Sequence, residues 1–164
     1  MLRLSKKADY ALIAMKYLAQ KSGGAFECGP ETAGQGRASS ASAREIAEQY
    51  DIPIELMAKV LQRLVRTGLL VSTQGTRGGY TLGRPSRSIS VADVIEAIDG
   101  PFTVTACSTE KNDCEQYNKC SIRDPVWQIR ERIAAALGTV TIAEMAAERA
   151  DAPPVAHAAV VRRA

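Results

Sequence analysis

Residues 42–82 decide the fold, and their sequence is SAREIAEQYDIPIELMAKVLQRLVRTGLLVSTQGTRGGYTL. The tetrapeptide Ser42–Glu45 predicts a capping box, in which a serine and a glutamate satisfy each other's backbone at the start of a helix. This helix ends at Tyr50–Pro53. Pro53 suits the first turn of the next helix, because its missing N–H costs nothing there. The stretch therefore begins with two helices joined by a tight turn.

The second helix of this stretch has one apolar and one polar face. Its apolar side chains recur at the i, i+3, i+4, i+7 spacing of a buried stripe, as Met57, Val60, Leu61 and Leu64. The other side carries Glu55, Lys59, Gln62, Arg63 and Arg66. Gly68 ends the helix, and two strand-like segments around a glycine-rich tip at 75–79 predict a β-hairpin. This order is typical of a winged helix-turn-helix, which lays its second helix in the DNA major groove.

Charge is unevenly distributed along the chain. Residues 1–89 hold 13 Lys/Arg and 7 Asp/Glu, whereas residues 90–164 hold 8 and 11, so the net charge of +3 hides a basic front half. A basic half is the footprint expected of a surface that faces phosphates. We therefore predict a DNA-binding domain at 1–89. The predicted DNA contacts are Ser42, Glu55, Lys59, Gln62, Arg63 and Arg77.

Two alternatives for this stretch remain open from the residues alone. One is an ordinary amphipathic helix pair whose charges form a solvated face, and the other is a winged helix used only for protein contacts. The first is disfavoured because a capped short helix, a proline turn, a basic helix and a glycine-rich hairpin rarely coincide. The basic charge of the front half disfavours the second.

Composition narrows the class of protein and its expected cellular compartment. The chain has 164 residues, 46% of them apolar and 24% charged, which is ordinary for a globular protein with a real core. No apolar run approaches the roughly 20 residues of a membrane span, and no signal-peptide core follows the N-terminal lysines. We expect a cytoplasmic protein with no membrane partner. Its four cysteines then favour metal or redox chemistry over disulfides.

The cysteines concentrate in residues 106–122, whose sequence is ACSTEKNDCEQYNKCSI. Cys107, Cys114 and Cys120 have the spacing C-x6-C-x5-C in a polar segment, where structural cysteines are uncommon. Thiolates gathered in one loop suit zinc or an iron–sulfur cluster, although zinc sites more often show C-x2-C pairs. Reduced surface thiols are the alternative. Cys28 lies in the Gly-, Ala- and Ser-rich segment 21–40, predicted to be a flexible insertion, and is interpreted as a surface thiol.

A late helix is predicted from Ser121 to Leu137. Its apolar residues recur at steps of four, three, four and four, as Ile122, Val126, Ile129, Ile133 and Leu137. This spacing is close to a coiled-coil seam and favours a dimerisation helix, with domain core as the alternative. The chain is thus expected to be mainly α with a small β-wing, with the cluster loop and dimerisation helices at 90–148. A disordered tail is expected at 149–164, and it contains the single histidine, His157.

Three stretches together resemble the IscR/NsrR/RirA family of bacterial winged-helix regulators that carry iron–sulfur clusters. They are the wing GTRGGYTL, the N-terminal LRLSKKADYAL and the three-cysteine loop, and the resemblance covers roughly residues 1–148. It implies a homodimer that binds a palindromic operator in double-stranded DNA. It also implies that Cys107, Cys114 and Cys120 hold the cluster.

The fourth ligand is where the chain departs from part of this family. The IscR branch places a histidine three residues after the last cysteine, and Arg123 stands there in this sequence. NsrR-like members use an aspartate of the first helix from the other subunit, and Asp9 matches it. Asp124, Glu110 and Asp113 remain open as local substitutes, as does the choice between a [2Fe–2S] and a [4Fe–4S] cluster.

The function predicted from these features is regulation and not catalysis. The only histidine lies in the predicted tail, so no Ser/His/Asp or Cys/His set is available for nucleophilic chemistry. We expect a transcriptional repressor that senses cluster status, redox state or iron. The alternatives are a zinc-stapled or cluster-free protein-interaction adaptor and a thiol redox sensor on the same fold.

Overall fold

The structure is a computed structural model that describes residues 4–22, 40–75, 78–104, 115 and 117–147. Its helices and strands are α1 (Lys6–Lys21), α2 (Ala43–Gln49), α3 (Ile54–Arg66), β1 (Leu70–Thr73), β2 (Gly79–Leu82), α4 (Val91–Asp99), α5 (Arg123–Thr139) and α6 (Ile142–Ala147). Short 3₁₀ turns lie at Ser86–Ser88 and Tyr117–Lys119. The predicted fold, mainly α with a two-stranded wing, is confirmed. Predictions for Cys28, Arg77, Cys107, Cys114 and the tail fall outside the described residues.

The start of α2 shows half of the predicted capping box. Ser42 Oγ accepts a hydrogen bond from the Glu45 N–H at 3.1 Å, as expected of an N-cap. The Glu45 carboxylate, however, does not return to Ser42. It accepts hydrogen bonds from Tyr17 Oη at 2.8 Å and from Lys21 Nζ, both on α1. The predicted reciprocal bond is therefore wrong, because α1 offers this carboxylate two stronger donors.

The buried apolar stripe of α3 fixes its orientation, and the residues at its two ends fix where it begins and stops. Met57, Leu61 and Leu64 are fully buried, as the spacing predicted. Pro53 precedes the helix as its N-cap residue, one position earlier than expected. At the other end Gly68 adopts a φ of +74°, and the N–H groups of residues 68 and 69 donate to the carbonyls of 65 and 64 at 3.0 Å. This is a Schellman motif, in which glycine avoids the left-handed strain of other residues.

The wing is an antiparallel hairpin that is anchored to the segment before α2. Leu70 pairs with Leu82 and Thr73 with Gly79. Ala41 adds an isolated bridge to Tyr80, with backbone hydrogen bonds of 3.1 and 2.8 Å. A Cβ at Gly79 would lie 2.8 Å from the Ala41 carbonyl oxygen, so this close approach requires glycine. The wing base is consequently fixed against the start of the helix-turn-helix.

One hydrophobic core joins α1, α2, α3, β1, α4 and α6. Its largest fully buried side chains are Met15, Leu18, Ile46, Met57, Leu61, Leu64, Leu69, Leu70, Ile89, Val94 and Ile142. The chain returns to this core after α5 through two hydrogen bonds of 2.9 Å, from Val91 N–H to the Val140 carbonyl and from Ile142 N–H to the Ile89 carbonyl. The core thus continues across the predicted domain boundary at 89/90.

Helix α5 differs from the other helices because it contains no buried residue. Ile122, Trp127 and Ile129 are 63%, 45% and 49% exposed. Its inner side rests on α4 and on the segment after it, where Arg130 Nε donates to the Phe102 carbonyl at 2.9 Å. No helix in the described ranges is long and apolar enough to cross a membrane.

Candidate nucleic-acid interface

The polar face of α3 is exposed and directly opposite its buried stripe. At 100° per residue, Glu55, Lys59, Gln62 and Arg66 fall along the centre of this face, and all four are exposed. In the part of the chain that the structure describes, the side chains of Lys59, Gln62 and Arg66 have no hydrogen-bond or ion-pair partner. We call Lys59, Gln62 and Arg66 the recognition face. Two cations and an amide presented by a rigid helix can bind phosphates and the acceptor edges of bases.

Arg66 is the residue of this face that was not among the predicted DNA contacts. It lies one further turn along from Gln62 on the same face, and seven residues beyond Lys59. The signal was present in the sequence, because the i, i+3, i+7 spacing from Lys59 already placed it there.

Arg63 lies at the edge of the polar face and turns toward α4. Its Nε donates a hydrogen bond of 2.9 Å to the carbonyl oxygen of Ala97, in the last turn of α4. This partner lies 34 residues away in sequence, so the local pattern could not show it. Part of the Arg63 guanidinium is therefore engaged within the subunit.

The remaining predicted DNA contacts surround α3. Ser42 is exposed and caps α2 through its Oγ. Glu55 lies exposed in the first turn of α3, where a carboxylate favours the positive end of the helix dipole. Arg77 at the wing tip is outside the described residues.

A polar cluster fixes α2 against α1. The hydrogen bond from Lys21 holds the pKa of the Glu45 carboxyl below its usual value, with a smaller contribution from Tyr17. The bond to that carboxylate raises the pKa of Tyr17 above its usual value, since it favours the protonated hydroxyl. The ring of Tyr17 also meets that of Tyr50 edge-on at 6.0 Å. The first helix of the helix-turn-helix is thus tied to α1 at both of its ends.

Of the three loop cysteines the structure describes Cys120. It is partly buried and lies between the 3₁₀ turn at Tyr117–Lys119 and the start of α5. Among the described residues no three His, Cys, Asp or Glu side chains are grouped to hold a metal ion. Next to this cysteine, Arg123 Nε donates to Asp124 Oδ1 at 2.8 Å, and this bond lowers the pKa of Asp124. Asp124, one of the open fourth ligands, is thus already engaged by Arg123.

Asp9 lies exposed in the first turn of α1. The cap of that helix is Ser5, whose Oγ accepts from the Ala8 N–H at 3.1 Å and donates to Asp99 Oδ1 at 2.6 Å. Within the described ranges the Asp9 carboxylate has no partner. The helix start therefore does not need Asp9 as a cap, although its charge still favours the dipole.

Comparison with known proteins agrees with this arrangement. The profile of the Rrf2 family, described as iron-dependent transcriptional regulators, matches residues 31–148. The HTH-type transcriptional regulator IscR of Klebsiella pneumoniae (strain 342) is 31% identical over 145 residues, covering 88% of this chain and 79% of the relative. IscR of Escherichia coli (strain K12 / DH10B) is 30% identical, over 88% and 80% of the two chains.

Solved structures share the fold. CymR, the global cysteine regulator of B. subtilis, has a TM-score of 0.67 at 26% identity, covering 89% of this chain and 97% of that one. IscR of T. potens has a TM-score of 0.65 at 26% identity, covering 93% of each. These relatives are transcriptional regulators and not enzymes. With its exposed basic recognition face, its wing and a family match over most of its length, the chain belongs to the Rrf2 family of DNA-binding transcriptional regulators.

Proposed function

We propose that this regulator is a homodimer that reads a palindromic operator with α3 and senses an iron–sulfur cluster bound by Cys107, Cys114 and Cys120. The observation that carries the DNA-reading part is the recognition face, whose three polar side chains project from a helix with a fully buried opposite side. Such a face enters the major groove without disturbing the core behind it. We further propose that the protein acts as a repressor in the cytoplasm.

We infer the DNA contacts from where each residue lies in the fold. Lys59, Gln62 and Arg66 reach into the major groove, while Ser42 and Glu55 lie at helix N-termini near the backbone. Arg77 contacts the backbone or minor groove from the wing tip. Arg63 contributes with the guanidinium nitrogens that the Ala97 carbonyl leaves free.

The test of the DNA contacts uses a duplex selected by the wild-type chain from a randomised library. Arg66→Ala and Lys59→Ala should each weaken its binding tenfold or more, because one good base contact is worth about 1–3 kcal/mol. Arg132→Ala removes the same charge from an exposed site on α5 and should bind like wild type. If both α3 variants also bind like wild type at the same salt concentration, α3 is not the reading helix.

The dimer is proposed from the uncovered side of α5. Ile122 and Ile129 expose about half or more of their surface on a helix that no described segment covers on that side. Exposed apolar residues at seam spacing are stabilised when a second copy packs against them. A two-fold dimer places two α3 helices on one duplex, which is why its operator would be palindromic.

The donor set fits a cluster in its chemistry. Three thiols within a single loop supply soft ligands, and the unpartnered carboxylate of Asp9 from the partner subunit can complete the set. When bound, the cluster would supply a redox-sensitive cross-link between the loop and the helices beside it. The protein itself would hold these ligands in position. Cys120 lies just before the N-terminus of α5, and Asp9 lies in the first turn of α1.

Anaerobic purification with assays for iron, sulfide and zinc tests the cluster. We expect a brown protein, and Cys107→Ser, Cys114→Ser and Cys120→Ser should each remove the visible absorption. Cys28→Ser is the matched control and should keep it. Asp9→Asn should keep the fold and dimer but lose the cluster faster in air. An Asp9→Asn protein with wild-type absorption and lifetime would assign the fourth position to another ligand.

A second candidate is a cluster-free or thiol-based regulator on the same fold. Two observations favour it: the similarity to CymR, described as a global cysteine regulator, and the presence of Arg123 where a histidine ligand is found in the IscR branch. A colourless protein with free thiols that changes its DNA affinity on treatment with peroxide would establish this candidate. A colourless protein with stoichiometric zinc would indicate the zinc-stapled form.

A further inference from the structure

The end of α4 and the residues that follow it receive hydrogen bonds from three different helices. We call residues 97–102 the α4 exit segment. Arg63 of α3 donates to the Ala97 carbonyl at 2.9 Å, and Arg130 of α5 donates to the Phe102 carbonyl at 2.9 Å. Ser5, the N-cap of α1, donates to Asp99 Oδ1 at 2.6 Å.

The bond from Arg63 is specific because of where the Ala97 carbonyl lies. The last four carbonyls of a helix have no partner within it, and residue 97 is among the last four of α4. The Gly100 N–H satisfies the Glu96 carbonyl at 3.0 Å, which leaves Ala97 to be satisfied from outside. A guanidinium also suits the negative end of the helix dipole. Arg63 therefore satisfies both the hydrogen bond and the charge at this end.

The same bond restricts the orientation of α3. The rest of the contact between α3 and α4 is apolar, and apolar packing is non-directional, so it permits small sliding and rotation. A hydrogen bond from the last turn of α3 to a fixed carbonyl is directional. Arg63 leaves the helix on the side next to the recognition face, so the bond restrains the orientation of that face relative to α4.

The position of the exit segment depends on its contacts with neighbouring elements. It turns at Gly100, with a φ of +85°, and continues at residue 104 into the stretch that contains the cysteine loop. Arg130, its contact on α5, also stacks on the Trp127 ring at 5.0 Å and pairs with Glu131. Ser5, its contact on α1, starts the helix turn that carries Asp9. A displacement of α5 or of the start of α1 thus acts directly on this segment through these contacts.

We propose that Arg63 is a positioning residue that couples the α4 exit segment to the recognition face, so that the segment's position sets the affinity for DNA. This rests on the proposed DNA-reading role of α3. Arg63 connects the two regions through the Ala97 carbonyl, whether the displacement begins with a cluster, a thiol reaction or a change in the dimer.

A double-mutant cycle on the full-length chain tests the coupling without requiring a cluster. Asp99→Ala frees the exit segment from α1 and should weaken binding to the selected duplex threefold or more. Arg63→Met keeps the apolar stem but removes the donor, and in its background Asp99→Ala should have no further effect. Arg63→Lys keeps a donor and should restore the effect of Asp99→Ala.

Arg66→Ala is the matched control. It removes an arginine three residues away, on the recognition face, and its effect should add to that of Asp99→Ala within twofold. Amide hydrogen exchange of the free protein gives a second measurement. Arg63→Met should speed exchange at Gly100 and in the last turn of α3 at least threefold, whereas Arg66→Ala should not.

The outcomes separate this proposal from the one on which it rests. If Lys59→Ala and Arg66→Ala leave DNA binding unchanged, the reading role of α3 fails and the coupling fails with it. If those variants weaken binding but the effects of Arg63→Met and Asp99→Ala are additive, only the coupling is overturned. Unchanged hydrogen exchange in a folded Arg63→Met protein would overturn it as well, because the bond would then not constrain the segment.

Discussion

Helices α3 and α5 both carry an apolar stripe at helical spacing, but only the stripe of α3 is fully buried in its own subunit. Met57, Leu61 and Leu64 of α3 are completely buried. Ile129 of α5 and Ile122, the residue just before this helix, remain 49% and 63% exposed, and no residue of α5 is buried. Periodicity therefore predicts which face of a helix is buried, but not which surface covers it. That depends on where the chain can return, and it returns to α1 and not to the outer side of α5.

The largest difference between the two helices should appear in unfolding. Leu61→Ala leaves a cavity in a fully buried site and should lower the free energy of unfolding by about 2–5 kcal/mol, independently of protein concentration. Ile54→Ala, on the same helix but 43% exposed, should change it by less than about 1 kcal/mol. Urea unfolding at two protein concentrations measures both. A loss at Leu61 no larger than at Ile54 would contradict the burial of this stripe.

On α5 the corresponding change should act on association. Ile129→Glu buries an unpaired charge if a second copy covers this face, which should weaken dimerisation by about 2–3 kcal/mol, or roughly 30- to 150-fold. Gln128→Glu places the same charge at the neighbouring exposed position, which lies outside the apolar stripe. This variant should leave the dimer intact. Sedimentation equilibrium distinguishes the two. An intact dimer in Ile129→Glu would show that this stripe is not the interface.

The sequence predicted the parts of the fold that local rules determine. The stripe of α3, the glycine after it and the N-cap at Ser42 are each specified by residues within one or two turns, and all are found where expected. The exposed polar face of α3, which we propose reads DNA, followed from them because a helix with one buried face must expose the other. The predicted family was confirmed as well, by the profile match over residues 31–148.

Long-range partners were not predictable in this way. Glu45 was expected to cap its own helix, but α1 supplies Tyr17 and Lys21 from 28 and 24 residues away. Arg63 was expected at the base edges, but its Nε is engaged by a carbonyl of α4. In both cases the residue type suits the predicted role. The actual hydrogen-bond partner, however, is a donor or acceptor that only the tertiary fold brings near. The spacing of the three cysteines, by contrast, remains a prediction about chemistry.

Two glycines should respond in opposite directions and thereby sharpen the contrast between the helices. Gly68 ends α3 with a φ of +74°, so Gly68→Ala should cost about 1 kcal/mol in strain. Gly138 lies inside α5 with nothing within 4 Å of an added Cβ, so Gly138→Ala should stabilise by about 0.5 kcal/mol. Thermal unfolding of both variants measures the signs. Destabilisation by Gly138→Ala would indicate that a partner packs closely there.

The smallest expected effect concerns ion pairs. Those on α5 and the one between α2 and α1 differ in how far apart their partners lie in the sequence. On α5 the ion pairs join neighbours in sequence, Arg123 with Asp124 and Arg130 with Glu131, whereas Glu45 of α2 reaches Lys21 of α1. The pKa of Glu45 is lowered in the folded state, chiefly by Lys21. Its stabilisation is therefore present above the ordinary glutamate pKa of about 4.3 and is lost as the pH falls through the lower folded value.

Glu45→Gln should therefore reduce stability at pH 7 and have a smaller effect near pH 3. Because the Glu45 side chain is 39% exposed, solvent screens the pair and the loss should be only about 0.5 kcal/mol. Glu48→Gln on the same helix is the control, since its 4.0 Å pair with Arg44 is largely exposed and should contribute nothing measurable. Denaturant unfolding at both pH values compares the variants. An equal loss for Glu45→Gln at pH 3 and pH 7 would mean that shape, and not charge, holds α2 against α1.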